Sequence, residues 1–296
     1  MSVSLNQAMS WIRGAARAIR HLPFLEKAEF LWRLLRPAYL ALLKLSGSGV
    51  AVRLGGACPV RMPPEYVGGD WEDYEPCTFR LLAEWGAAHP AGLVLDIGSS
   101  IGVFTLAALE TAPDVRAVAF DADLPSLLAV RRMTRFSESH GRLTEVYGLV
   151  SEEHQTGLAI EEATSAAKRL LEQQHGKPAS TRYVTILDAP GSGTPVNSID
   201  GLFAAHFREP IPVLMKIDVE GAELLVLRGA QRFLAALSPT LILSVHPATL
   251  PEYGHTVEDV RQFLIEHGYS ISLEGSDHEE HWWCTKPDLT NRHQPE

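Results

Sequence analysis

Apolar residues along this chain alternate between two periods. Short clusters at Leu93–Ile97, Val115–Phe120, Leu143–Val150, Val213–Asp218 and Leu241–Val245 read as buried strands. Between them, Phe104–Leu109, Leu124–Phe136 and Ala222–Leu237 carry helical spacing, with Leu124, Leu127, Leu128 and Met133 on one face of the second. Thr256 with Asp259 three residues on forms a helix start, Val257, Val260, Phe263 and Leu264 give that helix an apolar face, and Gly268 can end it in the left-handed conformation. Tyr269–Leu273 and Trp282–Thr285 read as a closing hairpin. Strands alternating with helices predict an α/β unit built on a mostly parallel sheet.

Two stretches depart from this rhythm. Residues 5–46 predict two helices, with Trp11, Ile12, Ala15, Ala16 and Ile19 on one and Leu31, Leu34, Leu35, Leu42 and Leu43 on the other, separated near Pro23. Ser46-Gly47-Ser48-Gly49 reads as a flexible joint, so the expected boundary separates 1–49 from 50–296. Residues 152–195 hold a charged helix, Glu161–Gln174, and a Gly/Pro loop, Asp188–Pro195, and read as an insertion or lid.

Charge divides along the same line. Residues 1–46 carry seven Lys/Arg against two Glu, whereas the remainder carries 19 basic and 34 acidic residues. The net charge of −10 argues against nonspecific nucleic-acid binding. Cys58, Cys77 and Cys284 are too few and too scattered for a disulfide framework or a cysteine zinc site, which suits a reducing cytosol. No secretory signal or membrane span is expected. Arg13, Arg17, Arg20, Arg33 and Arg36 could touch an anionic membrane at its inner face; the plainer reading of 1–46 is a helical cap or homo-oligomer element.

Two segments carry chemistry. Asp96-Ile-Gly98-Ser99-Ser100-Ile-Gly102 lies where a strand turns into a helix, so small residues and free N–H groups can meet a ligand there. Asp121 ends the next strand, where an acid can accept hydrogen bonds from both ribose hydroxyls. The spacing is not that of a dinucleotide fingerprint, and a carboxylate at Asp96 would repel a pyrophosphate but welcome the amino group and sulfonium of S-adenosylmethionine. Ser151, beyond the third strand, is a further cofactor-side candidate. In the second segment, Val213-Leu214-Met215 runs directly into Lys216, Asp218, Glu220 and Glu223, a concentration of charge that is costly near a core without partners.

Asp96–Gly102, Phe120-Asp121, Asn197-Ser-Ile-Asp200, Lys216-Ile-Asp-Val-Glu-Gly-Ala-Glu223, Leu227-Arg-Gly-Ala230 and Leu243-Ser-Val-His246-Pro247 together resemble the FkbM family of S-adenosylmethionine-dependent methyltransferases. The resemblance spans roughly residues 70–287. It implies a Rossmann-like class I methyltransferase fold, with a mostly parallel seven-stranded sheet whose last strand is antiparallel, here preceded by an N-terminal helical extension. It also implies S-adenosylmethionine as cofactor and a hydroxyl of a sugar, glycan or glycosylated natural product as acceptor. Two features differ: Asp121-Ala122 stands where the family usually has Glu-Pro, and 152–195 is longer than the usual connection.

In such a sheet, Asp96, Asp121, Asp218 and His246 lie at strand carboxyl ends and should ring one cleft. His246 is expected to act as base, Asp218 to orient the acceptor or take its proton, and Lys216 to pair with Asp218 or Glu220. Glu220 and Glu223 could equally be first-turn acids of a helix, and Asp200 a helix cap. A divalent metal on Asp218 and His246 is possible, but metal-free transfer is the favoured reading. His278-x-x-His281 is expected to be solvated, and Trp282-Trp283 to be packing. Two other readings compete: a catalytically silent cofactor-binding or oligomerisation protein, which would turn nothing over, and a nucleotide-sugar or NAD oxidoreductase, whose fingerprint motifs the chain lacks.

Overall fold

The structure is a computed structural model that describes residues 49–137, 141–153, 164–165, 168–169, 194–204, 211–276 and 278–287. The chain divides after Gly49, and the unit described is Val50–Glu296. The helices expected over 5–46, and most of the 152–195 insertion, lie outside the described residues.

In chain order the unit opens with an antiparallel hairpin, β1 (Val50–Leu54) and β2 (Cys58–Met62), then helix α1 (Pro76–Ala88). It continues through β3 (Leu93–Ile97), α2 (Val103–Thr111), β4 (Arg116–Asp121), α3 (Leu124–Thr134) and β5 (Leu143–Tyr147). Two short strands, β6 (Leu149–Val150) and β7 (Val196–Asn197), pair with each other, and the single-turn helix α4 (Ile199–Leu202) follows. Then come β8 (Val213–Ile217), α5 (Glu223–Arg228), α6 (Gln231–Leu237), β9 (Thr240–Val245), α7 (Val257–Glu266), β10 (Ser270–Ser276) and β11 (Glu280–Thr285).

Seven strands form the central sheet in the order β10-β11-β9-β8-β3-β4-β5. All neighbours from β9 to β5 are parallel, and β11, the last strand, runs antiparallel to both β9 and β10. The expected α/β architecture, with its antiparallel last strand, is the one observed. Successive residues of a strand face opposite sides of the sheet. Accordingly Leu95, Met215 and Leu241 join one core cluster with Leu224, Leu227 and Phe233, while Val94, Leu214 and Ile242 join a second with Phe79, Leu82 and Leu106. Helix α2 is buried from Val103 to Leu109, which explains its nearly unbroken apolar sequence. Among the described residues, no helix is long and apolar enough to cross a membrane.

Three elements differ from expectation. The strand expected over Leu143–Val150 breaks at Gly148, after which the chain leaves β4 and pairs with Val196–Asn197 instead. The helix expected over Ala222–Leu237 is interrupted at Gly229-Ala230. A Cβ at Gly229 would lie 1.9 Å from the Ser151 carbonyl, so the chain there presses against β6. Its own carbonyl accepts from Asp200 N, and the Asp200 carboxylate accepts from Arg232 N and Phe233 N. Asp200 is thus a cap, but for α6 rather than for the helix beside it in sequence. The β1–β2 hairpin and α1 had no expectation at all.

Candidate active site

The chain crosses from β3 to β4 on one side and later to β8 on the other, so the carboxyl ends of β3 and β8 mark the point where strand order reverses, the usual ligand crevice of an open α/β sheet. Asp96 on β3 stands in register with Lys216 on β8. Gly98 has φ +84°, and a Cβ there would lie 1.8 Å from the Asp218 carbonyl oxygen. The two charged segments, distant in sequence, therefore touch backbone to backbone.

On the β3–β4 side, Asp96 is 1% exposed and accepts a 2.5 Å hydrogen bond from Thr105 Oγ1 on α2. Burial pushes its carboxyl up, and the Lys216 charge counters this. Its Oδ1 has no hydrogen-bond partner, and neither has the buried Ser99 Oγ. The Gly98 and Ser99 amides donate to Phe120 O, and Gly102 N donates to Ser99 O, which closes the turn into α2. Asp121 accepts from Ser100 N and Asp123 N, one on each carboxylate oxygen, both at 2.8 Å. Burial raises its carboxyl to about 7 against those two bonds. Each Asp121 oxygen keeps a second lone pair, so a ribose diol fits there, and the unpartnered Asp96 Oδ1 and Ser99 Oγ suit further polar ligand groups. Ser151 is buried in the β6–β7 seam, where its N–H donates to Asn197 O.

On the β8–β9 side, buried Lys216 donates to Asp218 Oδ2 at 2.5 Å, and its Nζ lies 5.6 Å above the centre of the Phe104 ring. Burial opposes the charge on Lys216, but Asp218, Glu75 and Asp96 hold it above its ordinary range. Burial likewise opposes ionisation of Asp218, but Lys216 overrides it and keeps that carboxyl low. His246, 5% exposed, follows β9. Its Nδ1 lies 2.8 Å from Glu223 Oε1, and its Nε2 lies 2.9 Å from Glu279 Oε2, 3.5 Å from Glu220 Oε2 and 3.7 Å from Asp218 Oδ1. Burial alone would lower its pKa, but the bonds to Glu223 and Glu279 and the surrounding carboxylates push it up to about 10. The surrounding carboxylates favour the protonated ring, in contrast to the unperturbed base that the sequence suggests. The ligand-capable atoms of Asp218, Glu220 and His246 lie within 4.8 Å of one another.

The structure thus brings Lys216, Asp218, Glu220 and His246 together and sets the glycine turn beside them. Glu223 does not merely cap α5: fully buried, it accepts from Gly221 N and clamps the histidine ring. Sequence reasoning missed Glu279, Glu75 and Thr105. Glu279 sits between His278 and His281, and His281 is buried with Nε2 3.6 Å from Glu279 Oε1 rather than solvated. Trp282 is fully buried, as packing requires. Glu75 precedes Pro76 at the start of α1 in a left-handed conformation, φ +41°. Four non-glycine residues have positive φ among the described residues, and three of them, Glu75, Ser100 and Glu220, belong to this region. Such strain concentrates at functional sites.

Residues 127–271 match the family described as the methyltransferase FkbM domain. The matched stretch holds Lys216–Glu223 and His246, whereas the glycine turn and Asp121 lie before it. Among solved structures, the chain is similar to a methyltransferase FkbM from Methylobacillus flagellatus, at 18% identity over 67% of this chain and 44% of that one, TM-score 0.44. The chain therefore spans less than half of that protein's length. It is also similar to a precorrin-6y C5,15-methyltransferase from Geobacter metallireducens, at 13% identity over 75% of this chain and 93% of that one, TM-score 0.39. A third is the fibrillarin of Aeropyrum pernix in complex with S-adenosyl-L-methionine, at 12% identity over 72% of this chain and 80% of that one, TM-score 0.39. No curated protein matches the sequence. Over residues 127–271, the chain carries an FkbM methyltransferase domain.

Proposed function

We propose that this protein transfers a methyl group from S-adenosylmethionine to a hydroxyl of a sugar, glycan or glycosylated natural product. The observation that carries the reading is the contact of Gly98 with the Asp218 carbonyl, which sets the glycine turn directly beside a wall of carboxylates. The cofactor would supply the methyl on a sulfonium. Asp121 would hold its ribose, and the unpartnered Asp96 Oδ1 and Ser99 Oγ its polar groups. Ser100 and Gly102 shape the turn, the first by orienting Asp121 and the second by opening α2.

On the acceptor side, Lys216 fixes Asp218 through Oδ2 and leaves Oδ1 for a hydroxyl. Asp218 Oδ1 would take the hydroxyl proton as that oxygen bonds to the cofactor's methyl, the electron pair of the broken carbon–sulfur bond staying on sulfur. His246 has both ring nitrogens engaged by carboxylates and serves to position Asp218 and Glu220 rather than to accept the proton. A wall of carboxylate oxygens suits a polyhydroxylated acceptor, because each oxygen can accept from a separate hydroxyl. Incubation with methyl-labelled cofactor and a panel of glycosylated acceptors tests the reading. Label should appear as a methyl ether, and Asp218→Asn should lower kcat by about 100-fold or more while S-adenosylhomocysteine still binds. Cofactor binding without transfer to any hydroxylated acceptor would overturn it.

A further inference from the structure

We propose that Asp218, Glu220 and His246 form a divalent-cation site on the acceptor side of this cleft, suited to Mn2+ or Mg2+. Ligand atoms held about 2.1 Å from one cation lie roughly 3.0–3.5 Å from one another. His246 Nε2 is 3.5 Å from Glu220 Oε2 and 3.7 Å from Asp218 Oδ1, and the ligand-capable atoms of the three residues all lie within 4.8 Å of one another. Nε2 also lies 2.9 Å from Glu279 Oε2, a bond that the cation would replace along with the Nε2 proton. The second ring nitrogen is already committed. Nδ1 faces the fully buried Glu223, which is itself fixed by Gly221 N, and this directs Nε2 at the other three carboxylates. A carboxylate behind a ligating histidine is the usual support of a metal site, because it fixes the tautomer and the ring plane.

Charge gives an independent argument. Four carboxylates, those of Asp218, Glu220, Glu223 and Glu279, meet the imidazoles of His246 and His281 and one lysine, and Lys216 is engaged with Oδ2 of Asp218. Glu223 Oε2, sealed from solvent, has no hydrogen-bond partner at all. Uncompensated carboxylates in a buried setting are expensive, and a dication offsets them. Two carboxylates with one imidazole form a mostly hard donor set, which favours Mn2+ or Mg2+ over thiophilic metals. What the cation does rests on the proposed methyl transfer: it would bind a hydroxyl oxygen of the acceptor beside Asp218 and lower that hydroxyl's pKa.

The test uses the untagged full-length chain freed of metal. Mn2+ should bind with 1:1 stoichiometry by electron paramagnetic resonance, Mg2+ should compete, and Mn2+ should raise the melting temperature. Glu220→Gln, whose side chain is 42% exposed and whose folding can be checked by circular dichroism, should weaken Mn2+ binding about tenfold or more, and Glu223→Gln should do so by about tenfold through the ring it orients. No saturable Mn2+ binding at millimolar concentration, or binding indifferent to Glu220→Gln, overturns the site. So does competition by simple alkylammonium ions but not by Mg2+, which would mark an ammonium pocket instead. Mn2+ binding without transfer to any hydroxyl would leave the cation site standing and remove the methyl-transfer reading. Transfer that persists at full rate in a chelator, with no Mn2+ bound, would do the reverse.

Discussion

Gly98→Ala is the sharpest single perturbation of the cleft. The added Cβ would meet the Asp218 carbonyl oxygen at 1.8 Å, and restoring even a 3.0 Å separation moves one backbone by about 1.2 Å in a closely packed region. Alanine must also hold φ near +84°, a left-handed conformation that costs roughly 1–2 kcal/mol for a residue with a Cβ. Adding a similar strain for overpacking gives a loss of about 3 kcal/mol. For a unit of this size that lowers the melting temperature by roughly 6–12 °C. The displaced segment includes the Asp218 N–H bond to Ile97 O, 3.0 Å, and behind it the Lys216–Asp218 pair. A misplacement on the order of 1 Å at a reacting centre costs about 100-fold in rate, so kcat should fall further than stability alone explains. Differential scanning calorimetry and methyl-transfer kinetics on Gly98→Ala measure both. Gly141→Ala, whose Cβ would meet nothing within 4 Å, is the control. If Gly98→Ala melts and turns over like Gly141→Ala, the two segments are not in contact and the cleft as described is wrong.

Three further outcomes follow from individual groups. Burial holds the Asp121 carboxyl up to about 7, and a bound diol donates to its ionised form, so binding releases a proton. S-adenosylhomocysteine affinity should therefore rise with pH through about 7 and then level off, as read by calorimetric titration; a profile unchanged by Asp121→Asn would sink the assignment. For the unliganded protein the sign reverses: a carboxyl raised above its unfolded value adds stability at low pH that is lost as pH climbs through about 7. Arg131 donates to both oxygens of buried Glu145, so Arg131→Ala should cost about 3 kcal/mol in urea unfolding, with much of the loss recovered in Arg131→Ala/Glu145→Gln. Asp200→Ala removes the acceptor of two amides at the start of α6 and should cost about 1–2 kcal/mol, whereas Asp200→Asn should retain most of the cap.

How much of this was legible in the sequence follows from the range of each interaction. Leu93–Ile97 and Thr256–Gly268 were readable because burial on both faces of a strand, and a capping box with an αL stop, leave local signatures. The break at Gly229 was not, because its cause is a carbonyl at Ser151, far away in sequence and reached only after folding. The same holds within the site. Asp218, His246 and Asp121 sit at strand ends, where position alone suggests a role. Glu279 and Glu75 come from a hairpin turn and a helix start that have no sequence period, and their relation to His246 and Lys216 exists only in three dimensions.

Charge separates the two halves of the cleft by function. On the β3–β4 side the acids are held in check: Asp96 is bonded to Thr105 and faced by Lys216, and Asp121 takes two backbone amides. Nothing there requires a metal, and the remaining acceptor capacity matches neutral hydroxyls or an amino group. On the β8–β9 side the carboxylates exceed the cations that face them, and the histidine among them is braced on both nitrogens. A site built only to bind the cofactor would have no reason to retain that excess, since each extra buried carboxylate weakens the fold. Under the proposed methyl transfer, that excess beside Asp218 assigns the second half of the cleft to the acceptor. If the proposed cation site takes part in transfer, Glu220→Gln should lower the rate and excess Mn2+ should restore part of it; a rate indifferent to both would separate the acceptor wall from any cation.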